Sequence, residues 1–165
     1  MEFNDLCQET EKKGYYLFQS DIEKALIDLI SSIYTKKENL HYCWENFRQF
    51  HRLKLKIRPT NDFYKENWKN IFRTQQHVFF AVDAECLQGE NKLMLIESDK
   101  LGKILERFYW ELDEIYICSV KFDWLISVNH MFEFNFIGNE LIKCIKESIV
   151  SRGCQSLIIS CKEYE

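Results

Sequence analysis

The sequence predicts an α+β domain with a mainly antiparallel sheet, and three observations lead there. Two stretches repeat apolar residues every third or fourth position. Several short stretches alternate polar and apolar residues with period two. The helical and strand-like stretches are mixed along the chain without the regular βαβ alternation of a parallel sheet.

The first element is a helix over about 21–34. Ser20 with Glu23 forms a capping box, Asp21 suits the positive end of the helix dipole, and Ile22, Ala25, Leu26, Leu29, Ile30 and Ile33 form its apolar stripe. After the polar joint KKEN, Asn39 caps a second helix with Leu40, Cys43, Trp44 and Phe47 inward, which makes an N-terminal helical hairpin. In HRLKLKIR the period falls to two: Leu53, Leu55 and Ile57 face one side, Arg52, Lys54, Lys56 and Arg58 the other. Pro59 ends that strand, and Asn61 or Asp62 opens a third helix with Tyr64, Trp68, Ile71 and Phe72 inward. HVFFAVDA and KLMLIES read as strands joined through the turn-like LQGEN. Ser98 or Asp99 caps a fourth helix with Leu101, Ile104, Leu105 and Phe108 inward. EIYICSV is a further strand, and a last helix runs from Asn139 to Ser151 with Gly153 as its C-cap. The tail QSLIISCKEYE adds a short strand or stays loose. Residues 1–165 form one domain, with 1–19 and 154–165 its loosely ordered ends.

Between 122 and 136 the even positions are Phe122, Trp124, Ile126, Val128, His130, Phe132, Phe134 and Phe136; His130 is the sole polar break. One strand of that length would span about 50 Å, too long for a domain this size. The chain therefore doubles back, and Asn129-His130-Met131 fits a three-residue loop with Val128 opposite Phe132. His130 then sits at the sheet's rim, near solvent. The competing geometry is a bulged strand with His130 pointing into the core.

Composition narrows the function. The chain has 165 residues, with 46% hydrophobic and 29% charged, the proportions of a soluble globular protein. MEFNDLCQETEKKG lacks the apolar core of a signal peptide, and no apolar run approaches a membrane span. Seven cysteines without a CxxC point to reduced thiols and a cytoplasmic setting. The net charge is −4, yet residues 48–58 hold five cations and no acid; the rest carries 17 cations against 26 anions. A mildly acidic chain with one basic stripe is unlike a typical nucleic-acid binder, whose whole domain is basic.

No catalytic set, metal site or cofactor is expected. His41 and Cys43 lie about 200° apart on a helix, and His51, His77 and His130 are isolated from one another. Asp123 is on the wrong strand face to orient His130, and Glu133 reaches it only across the turn. Cys43, Cys118 and Cys144 read as small apolar residues; Cys154, beside Arg152, is the one near a cation. Two surfaces remain. Arg52, Lys54, Lys56 and Arg58 stand nearly 7 Å apart in turn, matching consecutive phosphates as an anion site or else protecting an exposed sheet edge. Trp110, Glu111, Asp113 and Glu114, at a helix-to-strand junction, suit the contact face of a basic protein, joined by Asn129 and His130 at the hairpin end.

The stretch YWELDEIYICSVKFDWLISVNH resembles the C-terminal half of small uncharacterised bacterial immunity proteins, at Tyr116, Ile117, Trp124, Leu125, Asn129 and His130. The resemblance implies a cytoplasmic bacterial α+β protein that neutralises a partner, such as a basic toxin domain, by binding it without catalysis. The expected function is thus a non-catalytic, immunity- or antitoxin-like binding module. The alternatives are a nucleic-acid or phosphate-ligand binder through the basic stripe, and a small enzyme using a His/Cys site.

Overall fold

The computed structural model describes residues 15–36, 40, 46–48, 52–56, 76–83, 92–101, 113–151, 153 and 158–162. The predicted third helix, the LQGEN turn, the fourth helix beyond Leu101, Trp110, Glu111, Arg58, His41, Cys43, His51 and Cys154 lie outside them.

Strands β1 (Tyr16–Leu17), β2 (Arg52–Lys56), β3 (His77–Asp83), β4 (Lys92–Glu97), β5 (Glu114–Ser119), β6 (Leu125–Asn129), β7 (Glu133–Ile137) and β8 (Ile158–Lys162) join one sheet. Its order is β1-β4-β3-β5-β6-β7-β2-β8, and every pairing is antiparallel. The α+β class and the antiparallel sheet therefore hold. Among the described residues two helices, α1 (Ser20–Tyr34) and α2 (Asn139–Ser151), flank it, and residues 98–101 are helical.

Pleating divides the sheet into two faces. On one, Leu53, Leu55, Val78, Phe80, Met94, Ile117, Ile126, Val128, Phe134 and Phe136 pack with Leu141, Ile142, Ile145 and Ile149 of α2. On the other, Phe79, Ala81, Leu93, Tyr116, Cys118, Leu125 and Ile137 pack with Ile30 and Tyr34 of α1, assisted by Leu26, Ile27 and Ile33. An antiparallel sheet commonly leaves one face wet. Here every residue of β5 and β6 is buried, so both faces are dry along the centre.

Several local expectations change. Gln19, not Ser20, is the N-cap residue of α1, without a side-chain capping bond. Glu23 is used elsewhere: its carboxylate accepts the Leu93 N–H at 2.7 Å, one residue past the end of the short β1–β4 ladder. The buried arc of α1 is rotated from the predicted stripe, leaving Ile22, Ala25 and Leu29 exposed while Tyr34 is buried. The helical hairpin is not seen among the described residues. Phe47 instead forms an antiparallel bridge with Thr35, with Lys36 N–H to Asn46 O at 2.9 Å and Arg48 N–H to Tyr34 O at 3.0 Å. Backbone groups that a helix would satisfy internally are satisfied here across the two segments. Within the end segments 1–19 and 154–165, Tyr16–Leu17 pairs with β4 and Ile158–Lys162 pairs with β2. That second pairing makes β2 an interior strand, so its lysines do not guard a sheet edge.

Helix α2 matches its predicted bounds and buries Leu141, Ile142, Ile145 and Ile149. Its approach depends on Gly138, at φ +121°, where a Cβ would lie 2.7 Å from Trp124 Cβ and 2.8 Å from Asp123 O. Gly153, at φ +66°, closes the helix with its N–H on Val150 O at 3.1 Å, and a Cβ there would meet nothing within 4 Å. Gly138→Ala is expected to cost about 3 kcal/mol of unfolding free energy, combining backbone strain with overlap. Gly153→Ala should cost only about 1–2 kcal/mol, the left-handed penalty alone. Urea unfolding of both variants measures the difference; equal losses would refute the close-packing role of Gly138.

Candidate functional site

Register arranges the α1 face in rows across the strands. Phe79, Cys118, Leu125, Ile137 and Arg52 form one row, mostly apolar and lying toward α1. The next holds Ala81, Tyr116, Ser127, Asn135 and Lys54. At the sheet end Asp83, Glu114, Asn129, Glu133 and Lys56 follow in order. Polarity thus rises from the helix-covered half to the rim.

The polar rows are tied together by side chains. Asn135 Nδ2 donates to Ser127 Oγ at 3.3 Å, and Tyr116 O–H donates to the Glu114 carboxylate, all within the buried layer. Lys54 Nζ lies 2.8 Å from Glu133 Oε2, and Asn129 Nδ2 donates to the same oxygen at 3.1 Å. Burial alone would raise the Glu133 carboxyl. Hydrogen bonds from Lys54 and Asn129, with the charges of Lys54 and Lys56, overcome that and hold it below its ordinary value.

Asn129 also builds the turn. Its Oδ1 accepts the N–H groups of Met131 (3.0 Å) and Glu133 (3.1 Å), while its carbonyl accepts Phe132 N–H at 2.9 Å. The chain reverses where parity requires, but the loop is His130-Met131-Phe132, one residue later than expected, with Val128 opposite Phe134. Phe132, not Asn129 or His130, takes the left-handed conformation, at φ 61°. The β5–β6 turn repeats this design. Ser119 Oγ accepts Lys121 N–H (3.0 Å), Ser119 O accepts Phe122 N–H (2.9 Å), and Phe122 sits at φ 56°. A bulky residue in that region is strained by about 1–2 kcal/mol. Ring packing offsets the strain: Phe122 stacks on Phe79 at 5.6 Å, and Phe132 packs on the core beneath α2.

The predicted contact residues therefore divide. His130 is exposed at the turn, and Asp113 is half-buried at the start of β5. Glu114, at 0% exposure, and Asn129, at 3%, are internal and act on the rim's shape rather than its surface. Sequence reasoning missed Met131, 41% exposed beside His130, and Glu133, which fastens the turn to β2. The Asn129-to-Glu133 spacing was the available signal, since an Asn opening a three-residue reversal is placed to hold the following N–H groups. The basic stripe ends at this same rim. Lys54 is engaged by Glu133, Arg52 lies over the Phe47 ring at 5.8 Å, and Lys56 is exposed.

Elsewhere, Cys118 is buried against Tyr34, and burial first, then nearby Asp123, pushes its thiol up despite the Tyr34 hydrogen bond. Among the described residues no group of three or more His, Cys, Asp or Glu gathers to hold a metal, and no helix is long and apolar enough to cross a membrane.

Residues 8–149 match DUF6756, a family of unknown function. The chain belongs to that family. No curated protein and no solved structure matches this chain. The match takes in β1 to β7, so the rim lies within the part common to the family, whereas β8 lies beyond it.

Two measurements test the site. Glu133→Gln should lose about 1.5–3 kcal/mol at neutral pH, the worth of a hydrogen bond to a charged group. A lowered folded-state pKa stabilises above the ordinary carboxylate value of 4.5, and that stabilisation fades as pH falls through the lower folded value. The wild-type advantage should thus close on acidification below 4.5, and one that is constant with pH in urea titrations would contradict the Lys54–Glu133 assignment. Iodoacetamide labelling of the native protein, mapped by mass spectrometry, should modify exposed Cys144 and Cys161 while sparing Cys118 until denaturation.

Proposed function

We propose that the protein is a non-catalytic binding module, immunity- or antitoxin-like, that neutralises a protein partner in the bacterial cytoplasm. One observation carries this reading. The Glu114↔Asn129 pairing sets the acidic start of β5 directly beside the β6–β7 turn, so two stretches 15 residues apart make one continuous rim. Asn129 fixes the turn from within, and His130 and Met131 project from it. A rigid apolar-and-polar tip on a dry sheet is suited to surface complementarity, because little side-chain or loop entropy is lost on docking. The acidic balance of the chain fits a basic partner domain.

The phosphate-binding alternative has weaker support. Lys54 and Arg52 are engaged within the protein, which reduces the cations available to track a nucleic-acid backbone.

Immobilised protein should retain a specific partner from its host, and calorimetry on the recovered pair gives the affinity. Met131→Lys with His130→Ala changes only exposed turn residues and should weaken that complex at least about tenfold, the loss of about 1.4 kcal/mol. Unchanged affinity in a folded double variant would place the contact surface elsewhere.

A further inference from the structure

Helix α1 carries an apolar stripe that the sheet does not cover. Its inner arc, Ile30, Ser31 and Tyr34, is buried, whereas Ile22 is 44% exposed and Leu29 42%. Leu26 and Ile33 are half-buried, and Ala25 is exposed. Ile22, Leu26, Leu29 and Ile33 are spaced four, three and four residues apart, the alternation of a coiled-coil seam. On a helix they fall within an arc of about 60°, roughly a third of a turn from the arc that meets the sheet. One flank of the stripe is made of small residues, Ala25 and Ser32, and Ser32 Oγ donates to its own helix at Leu29 O, 2.8 Å away. Outside them come Asp21 and Asp28, both exposed. Lys24 is the helix's one cation, set against three acids for a net −2, and Glu23 is turned the other way, onto the Leu93 N–H.

We infer that this stripe docks an amphipathic helix of a partner protein, apolar on its inner face and rich in lysine or arginine along its flanks. Three features select that occupant. First, the repeat matches the seam by which one helix packs lengthwise on another, with the partner's side chains entering between Ile22, Leu26, Leu29 and Ile33. Second, Ala25 and Ser32 leave the flank low enough for a second helix axis to lie about 8–10 Å away. Third, Asp21 and Asp28 then face the flank of that helix, where cations are their complement. The same acids disfavour other occupants. A second copy would bring one helix of net −2 against its like, and a bilayer surface attracts helices whose polar side is basic.

From Ile22 to Ile33 the stripe runs about 16 Å, three helical turns, so a short helical peptide spans it. The probe is a fluorescein-labelled three-heptad peptide with Leu at the seam positions and Lys on both flanks, followed by anisotropy against the full chain. A version with Glu in place of Lys runs beside it. Saturable binding of the Lys peptide is expected, at least tenfold tighter than that of the Glu peptide and weakened at least tenfold by Ile22→Ser with Leu29→Ser. Asp28→Lys with Ser32→Lys should reverse the preference between the two peptides. All four substituted residues are exposed, so both double variants should keep the wild-type circular dichroism and unfolding midpoint. Absence of saturable binding, equal binding of the two peptides, or indifference to either double variant would each overturn the proposal. So would a lower unfolding midpoint for Ile22→Ser with Leu29→Ser, which would show the chain covering its own stripe. Self-association of the full chain that this variant abolishes would overturn it too, by placing a second copy there. His130 and Met131 take no part, so the stripe and the rim can each fail alone.

Discussion

Burial of both faces of the central sheet is the constraint on which everything else depends. Strands β5 and β6 have no wet side, so each of their polar groups must find a partner inside. On the α2 face the strands meet this demand with aliphatic and aromatic residues, and with Ser119 turned into the hairpin it caps. On the α1 face apolar side chains suffice only as far as the helix reaches. Beyond it Ser127 pairs with Asn135, Tyr116 with Glu114, and Asn129 with Glu133. An unsatisfied member of this layer would cost about 1–3 kcal/mol, so the polar rows are as much a part of the core as Phe134.

The same demand shapes the rim. Asn129 has two functions that compete in most turns: it closes the reversal through Oδ1 and clamps Glu133 through Nδ2. Glu133 in turn holds Lys54, drawing β2 into the network. The acidic and basic surfaces that looked like rival sites in the sequence are thereby ends of one structure. The lysine stripe is an interior strand's polar face, and part of its charge is committed to keeping the hairpin rigid.

The exposed turn residues His130 and Met131 are held from within by Asn129, and the buried Cys118 thiol, raised by its surroundings, is unsuited to nucleophilic attack.

Much of this was legible in order of residues. Period-two alternation over 52–56 and 125–137 assigned each side chain to a face, and the length limit on a strand required the reversal near His130. The bounds of α2 followed from its apolar spacing and Gly153, because those signals are local. Tertiary structure alone decided the rest. Which arc of α1 is buried depends on where β4 offers the Leu93 N–H to Glu23, not on the helix's own pattern. That β2 lies inside the sheet depends on β8, some hundred residues later, supplying its second neighbour. Face-by-face hydrophobicity is written in neighbouring residues, whereas strand order and hydrogen-bond partners are settled between segments far apart in the chain, by which pairing leaves the fewest buried polar groups unmet.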